Sequence, residues 1–479
     1  MSVGTWCLRD ASCEVLPNYP LAVVVDVILL LLAALLAVPT GVLAVEVTAS
    51  LRARNRSRPT LPPAPDPRPT VGVVIPAHNE QAVLGQTLGA LLPQLSAADR
   101  VVVVADNCDD DTAGVARGAG AICIERSDAR RRGKGFALDA GVRALQDNPP
   151  DIVLFTDADV GVGAGAVDEL VRQVQQTGRP AQGEYLMDTP AQARSVDLVS
   201  RFAFTLKNKV RPLGLWQLGL PCPLFGAGMA FPWKTIATAP LASGDLVEDM
   251  RLGIDLCRQG QAPLFCPDAK FRSILPGELI DADAQRRRWE HGHMNVFRDI
   301  PALLLGGVRR FDGRTVAMAL DHLVQPLTIL CAELLLVLVA AVVWWLTRGG
   351  TLSAAAAIVA AAGVGAMAFS LFLAWAAHMR GQIPPKALLG LPRYLVSRAR
   401  NQGRWLFSRQ REWVRTPRAE EGPGGPPDSG GGTSAAAELQ APGRQNSSAG
   451  SDAALPTTTA RPVPPALANP HSELAAARR

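Results

Sequence analysis

Three runs of apolar residues stand out along the chain, at residues 21–45, 323–346 and 351–377. A helix needs about 20 predominantly apolar residues to cross a bilayer. We therefore predict three transmembrane spans. The first run does not fit a secretory signal peptide, because it is too long and because the acidic residues Asp10 and Glu14 precede it.

Between the first and second runs, short apolar stretches alternate with segments of helical periodicity. The predicted strands are 71–77, 101–106, 121–125 and 152–157, each followed by a predicted helix. Fully apolar strands that alternate with helices are typical of a parallel sheet covered on both faces. Ligands of such sheets bind beyond the carboxyl ends of the strands.

Composition and charge fit a membrane protein with a cytoplasmic domain. Of the 479 residues, 48% are hydrophobic and 19% are charged, against about 25% charged in a soluble domain. Arginines cluster after the first span, at 52–58, and after the third, at 380–418. Cytoplasmic loops carry an excess of Lys and Arg, so residues 46–320 and the C-terminus are expected in the cytoplasm.

Clusters of arginines are also found in proteins that bind nucleic acid. They adjoin apolar spans and carry Trp405, Phe407 and Trp413 at amphipathic spacing, which favours a helix on anionic lipid. A transporter is disfavoured, because Asp26, Asp321 and Glu333 are the acids in or beside the spans.

These patterns divide the chain into consecutive segments. They are an extracytoplasmic N-terminus (1–20), a transmembrane helix (21–45), a Pro/Arg linker (46–70), an α/β domain (71–280), interfacial helices (281–315), transmembrane helices (316–346 and 351–379), a basic interfacial segment (380–415) and a disordered tail (416–479).

Acidic residues follow two of the predicted strands. Asp106 ends the second strand, and Asp157 and Asp159 follow the fourth. Two carboxylates together with a diphosphate suit Mg²⁺ or Mn²⁺. Each acid also has an ordinary structural interpretation, as a helix cap or a turn residue.

Two further motifs come later. Glu248 and Asp249 open a helical pattern, where the helix dipole alone favours acids. The motif Gln285-x-x-Arg288-Trp289 could equally be a solvated basic face with one aromatic residue.

The order of these four motifs, on a strand–helix scaffold between membrane spans, resembles the membrane-bound family 2 glycosyltransferases. Relatives of that kind include cellulose, hyaluronan and poly-N-acetylglucosamine synthases and ceramide glucosyltransferases. The resemblance covers roughly residues 70–300 and implies a GT-A-type α/β fold with a nucleotide-diphospho-sugar donor. The sequence departs from the family at Val247, where Thr is expected, and at Gly226-Ala227-Gly228, which lacks the Cys-Gly-Ser form of the cellulose enzymes.

The resemblance also implies a role for each motif residue. Asp249, with Glu248 beside it, would be the general base; Pro76, Glu80, Asp106, Lys134, Asp157 and Arg288 would bind the donor; Gln285, Trp289, Gly226 and Gly228 would line the acceptor site; and Asp159 with Asp157 would hold Mg²⁺ or Mn²⁺.

The function expected from this resemblance is inverting transfer of a sugar, UDP-linked by family analogy, to a membrane or lipid-linked acceptor. The expected setting is bacterial exopolysaccharide biosynthesis at the inner membrane, with polysaccharide-assembly proteins as partners. Three alternatives stay open: a glycolipid glucosyltransferase acting on ceramide or a hopanoid, a processive polysaccharide synthase, and a catalytically inactive membrane scaffold. Three spans are few for enclosing a polymer channel, which favours a single addition.

Overall fold

The computed structural model describes residues 19–55, 67–189, 194–245, 247–274, 292, 294–388 and 390. Several predictions lie outside these residues. They are the extracytoplasmic N-terminus up to residue 18, most of the linker, the motif residues Gln285, Arg288 and Trp289, the basic segment from 391, and the tail.

Helices make up both the membrane-spanning part and the flanks of the α/β domain. They are α1 (Tyr19–Asn55), α2 (Leu84–Leu91), α3 (Thr112–Gly118), α4 (Lys134–Arg143), α5 (Ala166–Thr177), α6 (Ser195–Thr205), α7 (Arg211–Gln217), α8 (Trp233–Ile236), α9 (Glu248–Arg258), α10 (Ile300–Arg309), α11 (Gly313–Leu323), α12 (Leu327–Arg348), α13 (Thr351–His378) and α14 (Pro385–Leu388). A π-helical turn, Leu206–Val210, joins α6 directly to α7.

The strands of the described residues form one eight-stranded sheet in the order β3-β2-β1-β4-β7-β6-β8-β5. Their bounds are β1 (Val71–Ala77), β2 (Arg100–Asp106), β3 (Ile122–Arg126), β4 (Ile152–Phe155), β5 (Gly161–Val162), β6 (Ala181–Asp188), β7 (Met229–Pro232) and β8 (Leu264–Ile274).

The four strands predicted from the sequence are parallel, but the sheet as a whole is mixed. Strands β1 to β4 pair in parallel, whereas β7 runs antiparallel to both β4 and β6. The pairing of Phe155 with Met229 puts the start of β7 at the edge where β1, β2 and β4 end. Loops after three strands and the loop before a fourth therefore meet at one edge of the sheet.

Alternate residues of the central strands pack into two separate cores. Val73 and Ile75 of β1 belong to one hydrophobic core, together with residues of α2 and α5. Val74, between them, belongs to the other, with residues of α4 and α9. Since successive side chains of a strand point to opposite faces, both faces of the sheet are covered by helices, as predicted.

Three helices are long and apolar enough to cross a membrane: Leu21–Ala53 within α1, α12 and α13. The first continues past the predicted end at residue 45, to Asn55. The second begins at Leu327 instead of 316, because Val324 leaves the helical conformation (φ −73°, ψ 88°) and Pro326 is the N-cap, so the residues before it form the separate helix α11.

Contacts at both ends of α1 connect it to the other spans. Trp344 of α12 donates a hydrogen bond from Nε1 to Asp26 at 2.7 Å, and Ser50 Oγ lies 3.0 Å from His378 Nε2 of α13. The C-terminal half of α1 packs on α7 so closely that a Cβ atom at Gly214 would overlap the backbone of Glu46. The α/β domain is thus packed directly against the first helix.

Candidate active site

Hydrogen bonds connect the loop after β1 with the loop after β2. His78 Nδ1 lies 2.6 Å from the Asp106 carbonyl oxygen, and the Glu80 amide donates to Thr112 Oγ1 at 2.8 Å. Asn79 has a positive φ of 56°, which ends the extended backbone after Pro76. Helix α2 therefore begins only at Leu84.

The end of β2 carries Asp106, one of the acids predicted to bind the donor. Asp106 is buried, and its Oδ1 accepts from Arg126 Nη1 at 2.5 Å and from Asn107 Nδ2 at 3.0 Å. Arg126 lies over the ring of Phe136, with its guanidinium carbon 5.5 Å from the ring centroid. Sequence reasoning did not select Arg126, since a basic residue at a strand end carries no distinguishing pattern.

Lys134 is the cation around which the predicted catalytic residues gather. It is the first residue of α4, and its Nζ donates to the Gly226 carbonyl oxygen at 2.8 Å. The same ammonium forms an ion pair with Asp157 and lies 3.7 Å from Glu248 Oε1. Residues distant in the sequence therefore meet at the edge of the sheet where β1, β2 and β4 end.

Close backbone packing holds Lys134 in this position. A Cβ atom at Gly135 would come within 2.5 Å of the Leu241 carbonyl oxygen and 2.7 Å of that of Ser243. Only glycine at this position lets the start of α4 lie directly on the 241–243 loop.

Gly226 and Gly228 lie in the loop that leads into β7, not in a strand. Both have positive φ, 88° and 67°, a region where glycine costs least. The buried Gln182 side chain accepts from the Phe225 amide and donates to the Ala227 carbonyl oxygen, each at 2.8 Å. This fixes the loop against β6.

Asp249 lies across this loop from Lys134. A Cβ atom at Gly226 would be 3.3 Å from Asp249 Oδ2 and 3.4 Å from Lys134 Nζ. Glu248 and Asp249 are the first residues of α9, and Asp249 Oδ1 accepts from the Met250 amide at 2.8 Å. The narrow space beside Gly226 is therefore bounded by a carboxylate and an ammonium.

Burial raises the pKa of three carboxyl groups at this edge. It raises the pKa of Glu248 to about 7, although the Lys134 ammonium opposes the shift. The pKa of Asp249 is raised by burial against the opposing charges of Lys207 and then Lys134. The pKa of Asp157 is raised by burial too, and the neighbouring Asp159 charge contributes. Carboxyls with raised pKa values are suited to taking up protons near neutral pH.

Asp157 and Asp159 are the residues that could hold a divalent cation. The buried Ala158 separates them, and both are half-buried. Among the residues that the structure describes, no group of three or more His, Cys, Asp or Glu side chains forms a complete metal site. Two carboxylates whose remaining coordination positions are filled by diphosphate oxygens are the arrangement that Mg²⁺ favours, so the residues present fit such a metal.

Residues 67–292 match the sequence model of the family described as Glycosyltransferase like family 2. This stretch is a family 2 glycosyltransferase domain. The predicted family and the α/β GT-A-type fold are thereby confirmed, with three helices able to cross a membrane beside the domain.

The glycosyltransferase domain also resembles individual proteins. The 4,4'-diaponeurosporenoate glycosyltransferase of Staphylococcus aureus is 34% identical over 110 residues, which are 22% of this chain and 28% of that protein. The match thus spans little more than a quarter of the curated relative's length.

Two solved structures show a limited similarity to this chain. A mannosyltransferase from Pyrobaculum calidifontis, in complex with GDP-Man and Mn²⁺, is 21% identical with a TM-score of 0.42 and covers 73% of this chain and 99% of its own. Glucosyl-3-phosphoglycerate synthase from Mycobacterium tuberculosis, with Mn²⁺, UDP and phosphoglyceric acid, is 28% identical with a TM-score of 0.32 and covers 46% and 76%.

Proposed function

We propose that the protein transfers a sugar from a nucleotide-diphospho-sugar to a membrane or lipid-linked acceptor, with inversion at the anomeric carbon. The observation that carries this proposal is the convergence of Lys134, Asp157, Glu248 and Asp249 around the Gly226 loop. The family match over residues 67–292 supports the same reaction class.

In the proposed reaction, the acceptor hydroxyl oxygen attacks the anomeric carbon of the donor. The bond from that carbon to the diphosphate oxygen breaks, and its electron pair leaves with the nucleoside diphosphate. The hydroxyl proton passes to the carboxylate of Asp249, the general base. One displacement without an enzyme nucleophile inverts the anomeric configuration, so an α-linked donor gives a β-linked product.

Lys134 supplies positive charge where the leaving diphosphate becomes more negative. Its ammonium is already fixed by the Gly226 carbonyl oxygen, so little reorganisation is needed during the reaction. Asp157 and Asp159 would hold Mg²⁺ or Mn²⁺, which when bound neutralises diphosphate charge as a Lewis acid. Asp106, at the end of β2, and Arg126, at the end of β3 and hydrogen-bonded to it, would bind the nucleoside.

The membrane setting is part of the proposal. Three helices long enough to cross a bilayer, with arginines concentrated on one side, support a catalytic domain on the cytoplasmic face of a bacterial inner membrane. We propose a UDP-sugar donor and a single addition in exopolysaccharide biosynthesis, with polysaccharide-assembly partners. Glycolipid transfer, processive synthesis and an inactive scaffold are the competing functions.

Incubation of membranes containing the full chain with radiolabelled nucleotide sugars tests the proposal. The panel should include UDP- and GDP-linked sugars, with Mg²⁺, Mn²⁺ or EDTA, followed by lipid extraction. We expect metal-dependent label in the lipid fraction. Because the Staphylococcus aureus relative is named for 4,4'-diaponeurosporenoate, that compound belongs in the acceptor series. Label in a long polymer would support a processive synthase, and no turnover of any donor would support the scaffold.

A further inference from the structure

Helix α9, whose first residues are Glu248 and Asp249, begins at an apolar N-cap. The N-cap residue is Val247, with φ −136° and ψ 61°, and a valine side chain has no oxygen to accept from the free amides of the first turn. Its carbonyl oxygen accepts from the Arg251 amide at 3.2 Å. The position of Val247 therefore determines where the first turn, which carries the proposed general base, lies.

Gly292 lies directly against the side chain of Val247. A Cβ atom at Gly292 would be 2.4 Å from Val247 Cγ1, 2.9 Å from Cγ2 and 3.1 Å from Cβ. Carbon atoms in favourable contact are about 3.5–4.0 Å apart, so a side chain at position 292 would push Val247 away. Val247 is buried in a hydrophobic core with Met250 and Ile254, and a β-branched side chain has few alternative rotamers. The displacement would therefore reach the backbone of α9.

The chain beyond this glycine packs along the same face of α9. Val296 and Ile300 share a hydrophobic core with Val247, and Asp299 Oδ2 accepts from Arg251 Nη1 at 2.7 Å. Helix α11 contributes to the same core and leads directly to α12, which is long enough to cross a membrane. The start of α9 is thus held by the segment that leads towards that span.

We propose that Gly292 and Val247 are positioning residues for the transfer reaction. Because position 292 has no side chain, Val247 can occupy the place that holds Asp249 beside the Gly226 loop. Glycine and valine carry no group that could move a proton or bind a metal, so their role is geometric. This inference rests on the proposed function and adds two residues to the machinery that orients its base.

The test removes space on one side of the contact and restores it on the other. The purified full chain is compared with Gly292→Ala, with Val247→Ala, and with double variants that combine Gly292→Ala with Val247→Ala or Val247→Thr. Alanine at 247 lacks the two atoms nearest to the new methyl group, whereas threonine keeps the branched shape of valine. Transfer kinetics give kcat, and equilibrium binding of UDP reports on the donor site.

The matched control is Gly306→Ala, in α10. The atom nearest to a Cβ at this helical glycine is Arg310 Nη2, at 3.9 Å, so the added methyl group fits without displacing its neighbours. We expect Gly306→Ala to have the kcat of the wild type.

We expect Gly292→Ala to lower kcat about 10-fold with UDP affinity unchanged, because a misplaced catalytic group lowers the rate. Adding Val247→Ala should restore kcat to that of Val247→Ala alone, and adding Val247→Thr should leave it low. If Gly292→Ala does not fold, Val247→Ala decides: a lower kcat at unchanged UDP affinity supports the inference, and a wild-type kcat overturns it.

A wild-type kcat in Gly292→Ala would also overturn the inference. So would a double variant with Val247→Ala that is as slow as Gly292→Ala, or a parallel loss of kcat and UDP binding. Failure of the proposed function looks different, because the wild type would then turn over no nucleotide sugar.

Discussion

The candidate active site and the contact between α1 and the domain both place one cation among acidic side chains. At the second contact, Arg211 of α7 binds Glu46 of α1 at 2.6 Å and Asp321 of α11 at 2.7 Å, and all three side chains are buried. At the active site, Lys134 contacts one carboxylate closely and a second at 3.7 Å, and these side chains are 14–27% exposed.

The two clusters differ in how far their charged side chains are exposed to solvent. Arg211 reaches two carboxylates through its planar fork and also donates to the Asp321 carbonyl oxygen at 2.8 Å, an arrangement that fixes geometry. The active-site charges keep part of their surface open. Buried ion pairs hold elements together, whereas partly exposed ones remain accessible to a charged substrate.

Asp249→Asn should show most clearly that the two clusters have different roles. It removes the proposed base while keeping the side-chain volume, so we expect kcat for transfer to fall by about 10²- to 10⁴-fold with donor affinity nearly unchanged. Transfer kinetics and equilibrium binding of UDP measure the two effects. Asp255→Asn, on the same helix and paired with Arg258 at 3.0 Å, is the control and should remain active. Normal turnover by Asp249→Asn would remove this residue from the mechanism.

Arg211→Met should act on stability instead. It leaves Glu46 and Asp321 as buried charges without their cation, which typically costs about 3–5 kcal/mol. Unfolding in detergent, followed by tryptophan fluorescence, measures the loss. Arg258→Met breaks a partly exposed pair, worth at most about 1 kcal/mol, and serves as the comparison. The distinction between the clusters fails if Arg211→Met is as stable as Arg258→Met.

Gly226→Ala should lower kcat about tenfold, because its Cβ atom would press on Asp249 and Lys134, at 3.3 and 3.4 Å, and a misplaced catalytic group lowers the rate. Gly219→Ala is the matched control: its φ is also positive, at 68°, but no atom lies within 4 Å of its Cβ position. Both variants should lose about 1 kcal/mol of stability from backbone strain. Equal activity of the two variants would contradict the crowding argument.

The smallest effect concerns pH. Since burial raises the pKa of Glu248 to about 7 and also raises that of Asp249, transfer should increase several-fold between pH 5.5 and 8 as the carboxyls ionise. A carboxyl whose pKa is higher in the folded than in the unfolded protein stabilises the fold at low pH. That stability is lost as pH rises through the folded pKa, so activity and stability should change in opposite directions.

Glu248→Gln should make the stability of the fold depend less on pH. The part of the pH dependence of the rate that comes from Asp249 should remain. Thermal unfolding and initial rates over the same pH series measure both quantities. A rate and a stability that rise together would show that these carboxyls do not control either.

The sequence allowed much of the site to be predicted because its acids follow parallel strands. Asp106 and Asp157 come after apolar runs whose ends must share one edge of the sheet, and Glu248 and Asp249 begin a clear helical pattern. The antiparallel β7 was harder to foresee, since its apolar run is only four residues long, Met229–Pro232, and ends in proline.

Contacts between distant segments could not be predicted. Glu46, Arg211 and Asp321 lie on three different helices, and no local pattern links them. Val247 and Gly292 also belong to separate segments, and their contact follows from tertiary packing and not from local propensity. The roles of Gln285, Arg288 and Trp289 stay predictions.

The packing of α1 on α7 has a consequence for how the protein can be handled. A fragment that begins at residue 67 would lose Glu46, one of the two carboxylates that bind Arg211, and would expose the glycine surface where the two backbones touch. Helix α1 and the glycosyltransferase domain therefore form one folding unit. An enzyme cut from its anchor by a protease should precipitate instead of working in solution.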